Sequence, residues 1–262
     1  MSRFFVNPGS VDLNNGKITI VGDDVRHVGS VLRAVPGDVL NLSDGMGTDY
    51  DAVIEQIDKD SILTRITHAR PNATEPPVEI TLFQGIPKAD KMDFIIQKCI
   101  ELGVRRIVPV MTARSVVKLN NARDIGNKTT RWRRIALEAA KQCDRGIVPL
   151  VEEPVRLEKA LEMAENCILK LIPYEEEKDG NLRKHLRQYK EKVSETGVKA
   201  GYGGVGVFIG PEGGFDLTEV EMAMQSGFKS VTLGPRILRT ETAGLAVIAI
   251  TMYEIGDISK DV

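Results

Sequence analysis

Cysteine is scarce in this chain of 262 residues, and the three present, Cys99, Cys143 and Cys167, are odd in number, far apart and in no C-x-x-C arrangement. That excludes a disulfide framework and gives no support to a zinc site. The three histidines, His27, His68 and His185, are equally scattered, so no metal is expected. Long apolar runs are missing too. The most apolar stretch, Ala243 to Ile250 and on to Tyr253, is shorter than the ~20 residues a membrane helix needs. The N-terminus MSRFFVNPGS has no signal-peptide core, which makes a cytoplasmic protein without a membrane partner the expectation. The chain also lacks a Walker A sequence, and QGIPKAD (Gln84 to Asp90) stands where a dinucleotide fold carries G-x-G-x-x-G.

A large charge of one sign is absent as well, the net value being −2. Its distribution is uneven: −3 over residues 1–70, +6 over 71–150 and −5 over 151–262. A basic middle between acidic flanks predicts one positively charged face able to hold phosphates.

Glycine and proline are plentiful at two places near the C-terminus, IGPEGGFD (Ile209 to Asp216) and LGPRILRTETA (Leu233 to Ala243). Each follows a short apolar run that reads as a buried parallel strand, Val205 to Ile209 and Lys229 to Leu233, and each leads into a helical pattern. Both turns therefore belong at strand C-terminal ends, where open α/β sheets bind ligands. Glycines there let backbone approach a ligand, and Pro211 and Pro235 stiffen the turns.

Residues 1–70 predict a small β-rich domain, with a meander of strands over Val39 to Gly45, Tyr50 to Asp58 and Ser61 to Thr67. A helix over Asp23 to Arg33 would bury Val25, Val28, Val31 and Leu32 and leave Arg26, His27 and Arg33 outside, where with Arg3 they could meet RNA phosphates or bases. The polar, proline-rich stretch 71–77 reads as a linker, and 78–262 as an α/β domain. There, strands over Val78 to Ile86 and Arg105 to Met111 flank a helix over Ala89 to Gly103, capped by Asp90 and ended by Gly103. A long polar connection, Thr112 to Thr130, carries Arg114, Lys118, Arg123 and Lys128, and a helix over Thr129 to Gly146 follows. Further on come a helix over Arg156 to Glu165 and a strand over Asn166 to Tyr174. The charged stretch Glu175 to Gly204 predicts a surface helix over Asn181 to Val193 and little else.

With these motifs placed, the chain resembles the RsmE family, 16S ribosomal RNA uridine-N3 methyltransferases of the SPOUT (trefoil-knot) class. The resemblance rests on RFFV (Arg3 to Val6), HVGSVLR (His27 to Arg33), the SDG of Ser43 to Gly45, Lys88 to Val104, Thr112 to Val117, Arg131 to Arg145, IGPEGG and LGPRILRTETA, in order along the chain. It implies a PUA-like β-barrel followed by a parallel-sheet α/β domain with a deep C-terminal knot, a topology that no local pattern reveals. It also implies S-adenosylmethionine as cofactor, 16S ribosomal RNA or the small ribosomal subunit as partner, and a homodimer with its sites at the interface. By motif match the cofactor residues would be Leu171 and Pro173; Gly210, Pro211, Glu212 and Gly213; Leu233, Gly234, Ile237 and Leu238; and Arg239, Thr240, Thr242 and Ala243.

Methyl transfer from a sulfonium needs alignment and exclusion of water, and a uridine N3 must also lose its proton. An arginine that stabilises the resulting anion and a carboxylate or polar relay are therefore sought. The candidates are Arg114 with Glu101, and beside them Lys98, Gln142 and Arg145. Thr240 could cap the last helix, with Arg239 and Glu241 shaping the knot. RNA contacts are expected from Arg3, Arg26, His27 and Arg33 together with Lys88, Lys91 and Arg114, the barrel of one chain reaching the knot of another. Two other readings stand beside this one: a non-catalytic RNA-binding or ribosome-assembly factor, and a nucleotide-dependent oxidoreductase.

Overall fold

Apolar residues at every second position build the N-terminal sheet: Ile18 and Ile20, Leu40 and Leu42, Ala52 and Ile54, then Ile62 with Thr64, all turned inward and buried. The computed structural model describes residues 3–117, 121–196 and 204–258. Lys118 and most of the glycine-rich lead into Val205 lie outside the described residues.

The first unit runs to Glu75 and takes in Ala140–Val148. Its barrel-like sheet has strands β1 (Arg3–Phe5), β2 (Val11–Asp12), β3 (Lys17–Val21), β4 (Val39–Ser43), β5 (Thr48–Ile57) and β6 (Ser61–Pro71) in the order β1-β4-β5-β6-β3-β2. The expected meander is β4-β5-β6. β1 adds parallel to β4, and β3 antiparallel to β6. The single helix expected over Asp23 to Arg33 is instead a short α1 (Asp23–Arg26) that widens into a π-helical turn over His27–Val31. Val25 and Val28 are buried as expected, but Val31 and Leu32 are exposed, and Arg33 takes the left-handed conformation at φ 53°. Glycine at position 29 weakens the helix where it opens.

The stretch read as a linker holds part of this unit together. Glu75 accepts from the backbone of Gly146 and Ile147 at 2.9 and 3.0 Å and pairs with the buried guanidinium of Arg145 at 2.8 Å. Arg145, a catalytic candidate in the sequence, thus has a structural role in the first unit.

In the second unit, apolar runs form β7 (Ile80–Gly85), β8 (Arg106–Met111), β9 (Leu150–Val151), β10 (Val155–Arg156), β11 (Leu169–Pro173), β12 (Val205–Ile209) and β13 (Lys229–Val231). Their order is β10-β8-β7-β12-β11-β13, all parallel, and β9 extends the β8 edge ahead of β10. β12 is buried at every residue, as a central strand covered on both faces must be. One face packs an aromatic cluster in which the Phe208 ring lies 4.9 Å from Phe215, 6.1 Å from Phe83 and 5.9 Å from Phe228.

Helices α2 (Lys91–Glu101), α3 (Ala122–Gln142), α4 (Leu157–Met163), α5 (Leu182–Thr196), α6 (Leu217–Gln225) and α7 (Thr240–Ile255) complete the chain. α2 buries Met92, Ile95, Ile96 and Cys99, the face its spacing predicts, and ends at Gly103 with φ 94°. Asp90 makes no capping bond; its carboxylate faces Arg131 at 3.3 Å. α3 starts seven residues before the predicted Thr129, because Asn121 accepts from the Asp124 N–H at 2.8 Å and caps it. The loop after β8 is shortened accordingly. α7 begins at Thr240 and packs on α2, α5, β7 and β12. Among the described residues no helix is long and apolar enough to cross a membrane.

Candidate functional site

Because β11, β12 and β13 are adjacent and parallel, their C-terminal ends open on one edge of the sheet, where three connections enclose a cavity of about 510 Å³. Ile209, Gly210, Gly214 and Phe215 form one wall, after β12. The turn after β13, from Thr232 to Leu238, forms the second, and Pro173 to Glu175 with Glu177 and Lys178, after β11, the third. Thr240 and Ala243 close it from the first turn of α7.

The walls are tied to one another by backbone. The Tyr174 N–H donates to Val231 O at 3.1 Å and Thr232 N–H to Gly180 O at 3.0 Å, so the β11 loop is stitched to the β13 turn. Glu177 accepts from the amides of Asp179 and Gly180, both at 2.9 Å, and the Asp179 amide first, then Ser230 and the Gly180 amide, hold its carboxyl below the usual range. The size falls within that of small-molecule sites, and apolar side chains mixed with exposed peptide groups suit a planar base and a polar tail.

Of the residues expected around a cofactor, Pro173, Gly210, Leu233, Gly234, Ile237, Leu238, Thr240 and Ala243 do line this cavity. Leu171 is buried inside β11, and Pro211 is packed against β7, where a Cβ on Gly85 would come within 2.7 Å of it. Gly213, Arg239 and Thr242 lie outside the lining; the Arg239 carbonyl accepts from the amides of Thr242 and Ala243 at 2.8 Å. Arg239, not Thr240, occupies the N-cap of α7, and the Thr240 hydroxyl instead donates to Gly210 O at 2.6 Å. Sequence reasoning missed the wall from Tyr174 to Lys178, because a run of charged residues reads as solvated surface.

Arg114 stands beside this cavity. It leaves β8 in a turn fixed by Glu219, whose carboxylate accepts from the amides of Ala113 at 2.7 Å and Asp216 at 2.9 Å while completing the capping box of α6. Its guanidinium donates to Gly213 O at 3.2 Å and faces Asp216 at 3.5 Å, about half exposed, with further N–H groups free of these bonds. It is also close enough to act on Tyr174: burial pushes that phenol up, Glu176 and Glu175 add to the rise, and Arg114 opposes it.

The remaining expected residues are placed differently. Glu101 is on the last turn of α2, paired with Lys98 at 2.8 Å, roughly 15 Å along the helix from Lys91. Lys91, expected on RNA, pairs with Glu212 at 3.1 Å and with Glu241 at 3.2 Å. Lys88 is exposed, and its backbone N–H donates to Glu212. In the first unit, Arg26, His27 and Arg33 are exposed. Arg3 is nearly buried, ion-paired with Asp49, so its charge is already engaged. Gln142 is exposed at the end of α3. Among the described residues no group of three or more His, Cys, Asp and Glu is arranged to hold a metal.

The strand order, the glycine-walled cavity and the β-rich head define an α/β protein with a ligand site at the C-terminal ends of its parallel strands and a separate β-rich unit. A family model described as the RNA methyltransferase domain matches residues 74–252, and one described as the RNA methyltransferase PUA domain matches residues 20–67. The chain is 32% identical to the ribosomal RNA small subunit methyltransferase E of Bacillus subtilis over 97% of each chain. It superposes on the protein of that name from Neisseria gonorrhoeae, bound to S-adenosyl methionine, with a TM-score of 0.80 at 33% identity, covering 98% of this chain and 99% of that one. A Legionella pneumophila putative methyltransferase in complex with the same cofactor gives 0.77 at 30% identity, covering 98% of both chains. The chain belongs to the ribosomal RNA small subunit methyltransferase E (RsmE) family.

The Lys91 cluster joins α2, the turn after β12 and the start of α7, and within it the Glu212 carboxyl is shifted by folding. Partial burial pushes the Glu212 carboxyl up, but the turn's own N–H, Lys91 and the Lys88 amide outweigh it and hold it below the usual value. A carboxyl lowered by folding stabilises the native state above its unfolded value, ~4.3, and loses that contribution as pH falls through the folded one. Thermal melts should place Glu212→Gln below the wild type at pH 7, with the two curves converging by about pH 3. A constant gap across that range would show that the carboxylate is not the stabilising group.

Proposed function

We propose that the chain is an S-adenosylmethionine-dependent methyltransferase that methylates N3 of a uridine in the decoding region of 16S ribosomal RNA. The cavity at the ends of β11, β12 and β13 carries this reading, since its residues fit the donor. Ile209, Phe215, Leu233 and Leu238 offer apolar surface to an adenine ring, and the peptide groups of the Gly210 and Gly234 turns offer hydrogen bonds to the ribose and amino-acid ends. When bound, that cofactor supplies a methyl group already activated on a positive sulfur.

The protein's own part is to align the base and favour its anion. Arg114 is held beside the cavity by Gly213 O and Asp216, on a turn that Glu219 fixes through the Ala113 amide, and keeps N–H groups for a uracil carbonyl. As N3 loses its proton, negative charge spreads to the flanking carbonyl oxygens, where a preorganised guanidinium is most effective. Asp216 stays ionised beside it, held low by its bonds to Thr218 and, to a smaller extent, by Arg114. Glu101, paired with Lys98 at 2.8 Å on the last turn of α2, is given no role in this reading. Exposed Arg26, His27 and Arg33 in the first unit and Lys88 in the second supply charge for RNA phosphates.

The last segment forms the knot of the SPOUT class in this reading, supported by the placing of β12 inside the sheet and the return of α7 onto α2 and β7. The working unit is a homodimer. Its support is α7, apolar from Ala243 to Ile250, whose Ile250 and Tyr253 remain 42% and 56% exposed. Sedimentation equilibrium should return twice the chain mass at micromolar protein; a monomer at that concentration would remove this part.

Calorimetry should show S-adenosylmethionine binding and no binding of NAD, which separates a methyltransferase from an oxidoreductase and from a factor without a cofactor. With tritiated methyl donor and undermethylated small subunits, Arg114→Ala should lower kcat about 10²- to 10³-fold while leaving donor affinity within about threefold. Equal losses in Kd and kcat would assign Arg114 to the cofactor instead.

A further inference from the structure

Gln84 is fully buried at the end of the central strand β7, between Phe83 and Gly85, and lies outside the cavity lining. A primary amide in such a place is costly unless its groups are matched. Its Nε2 donates twice, to Gly85 O and to Thr240 Oγ1, each at 2.9 Å. Its Oε1 has no partner and faces Gly244, where a Cβ would stand 3.6 Å away. An apolar residue of similar length would avoid that unmatched acceptor but would take this donor away from Gly85 O and Thr240 Oγ1, so the glutamine is accounted for by the two bonds its Nε2 makes.

The two donated bonds have a directional consequence. A threonine hydroxyl has one proton, and with its oxygen already accepting from Gln84, that proton goes to Gly210 O at 2.6 Å, its acceptor among the described residues. Thr240 and Gly210 both line the cavity. The Gly210 carbonyl belongs to the Gly210–Pro211 peptide, which the proline ring restrains on one side, while Gly210 itself and, further on, Gly213 and Gly214 leave the rest of the turn free to shift. The Gln84 amide, acting from behind the wall, therefore sets which way the hydroxyl points, and the hydroxyl holds the carbonyl.

We propose that Gln84 is a positioning residue for the methyl-donor pocket, acting through Thr240 on the Gly210 carbonyl; this rests on the reading of the cavity as the donor site. Substrate and cofactor never touch Gln84 in this scheme. Its loss would let the Thr240 hydroxyl turn away from the Gly210 carbonyl and the glycine turn shift, weakening the donor's seat.

The test is a double-mutant cycle on the full chain, read by calorimetric titration with S-adenosylmethionine and by the melting temperature without ligand. Gln84→Met should weaken donor binding about tenfold, the equivalent of one hydrogen bond, while its unliganded melting transition stays well above the titration temperature. In kinetics the loss should fall on KM for the donor rather than on kcat. Thr240→Val should weaken binding as much or more, Thr240→Ser should recover most of that loss, and adding Gln84→Met to Thr240→Val should cost nothing further, because the two act in series. Unchanged affinity in Gln84→Met, additive losses, or a lowered melting temperature that accounts for the loss would each overturn the proposal. A wild type that takes up no donor would overturn the cavity reading and this inference together, whereas a wild type that binds no better than Gln84→Met overturns this inference alone.

Discussion

The second unit depends on a late strand lying in the middle of its sheet. β12 is separated by more than a hundred residues from β7, yet the two are neighbours, and β11 closes on the other side of β12. A central strand must be apolar on both faces, hence VGVFI, and its exit must pass close to the exit of β7. Gly85 allows that passage, since any side chain there would collide with Pro211. Everything functional follows from this crowding: the glycine turn after β12, the adjacent turn after β13 and the loop after β11 have no room except around a common cavity.

Polar groups then fix what the sheet has brought together. Glu219 ties the Arg114 loop to α6, and Lys91 ties α2 to the turn after β12 and to α7. The Gln84–Thr240–Gly210 chain couples the sheet to the cavity wall. These ties differ in kind. The Lys91 cluster is partly exposed and exchanges its strength with pH and salt, whereas the Gln84 amide is fully buried and exchanges nothing with solvent. The first places loops approximately; the second sets the direction of one carbonyl.

Much of this was legible in the sequence where the signal is local. Alternation gave the β4-β5-β6 meander, helical spacing gave the buried face of α2, and the two glycine turns gave two of the three cavity walls together with Thr240 and Ala243 at the head of α7. Where tertiary packing decides, the pattern was silent or misleading. β1 and β2 are too short to carry a period, and the helix expected through Arg33 opens into a π turn because its first half alone finds a core. The wall from Tyr174 to Lys178 is charged in sequence yet structured by backbone bonds to β13. Lys91 read as a phosphate ligand because its two carboxylate partners are more than a hundred residues away. The asparagine at 121, three residues ahead of Asp124, was a readable start signal for α3.

The central claim is that the glycine-walled cavity and Arg114 together direct a methyl group to a uridine nitrogen. Its most direct measurement is nucleoside analysis by liquid chromatography and mass spectrometry of 16S ribosomal RNA, taken from undermethylated small subunits treated with the protein and S-adenosylmethionine. The account predicts N3-methyluridine, appearing with the wild type and falling in parallel with activity in Arg114→Ala. A methyl group on carbon 5 or on the ribose, or no new methylated nucleoside at all, contradicts it.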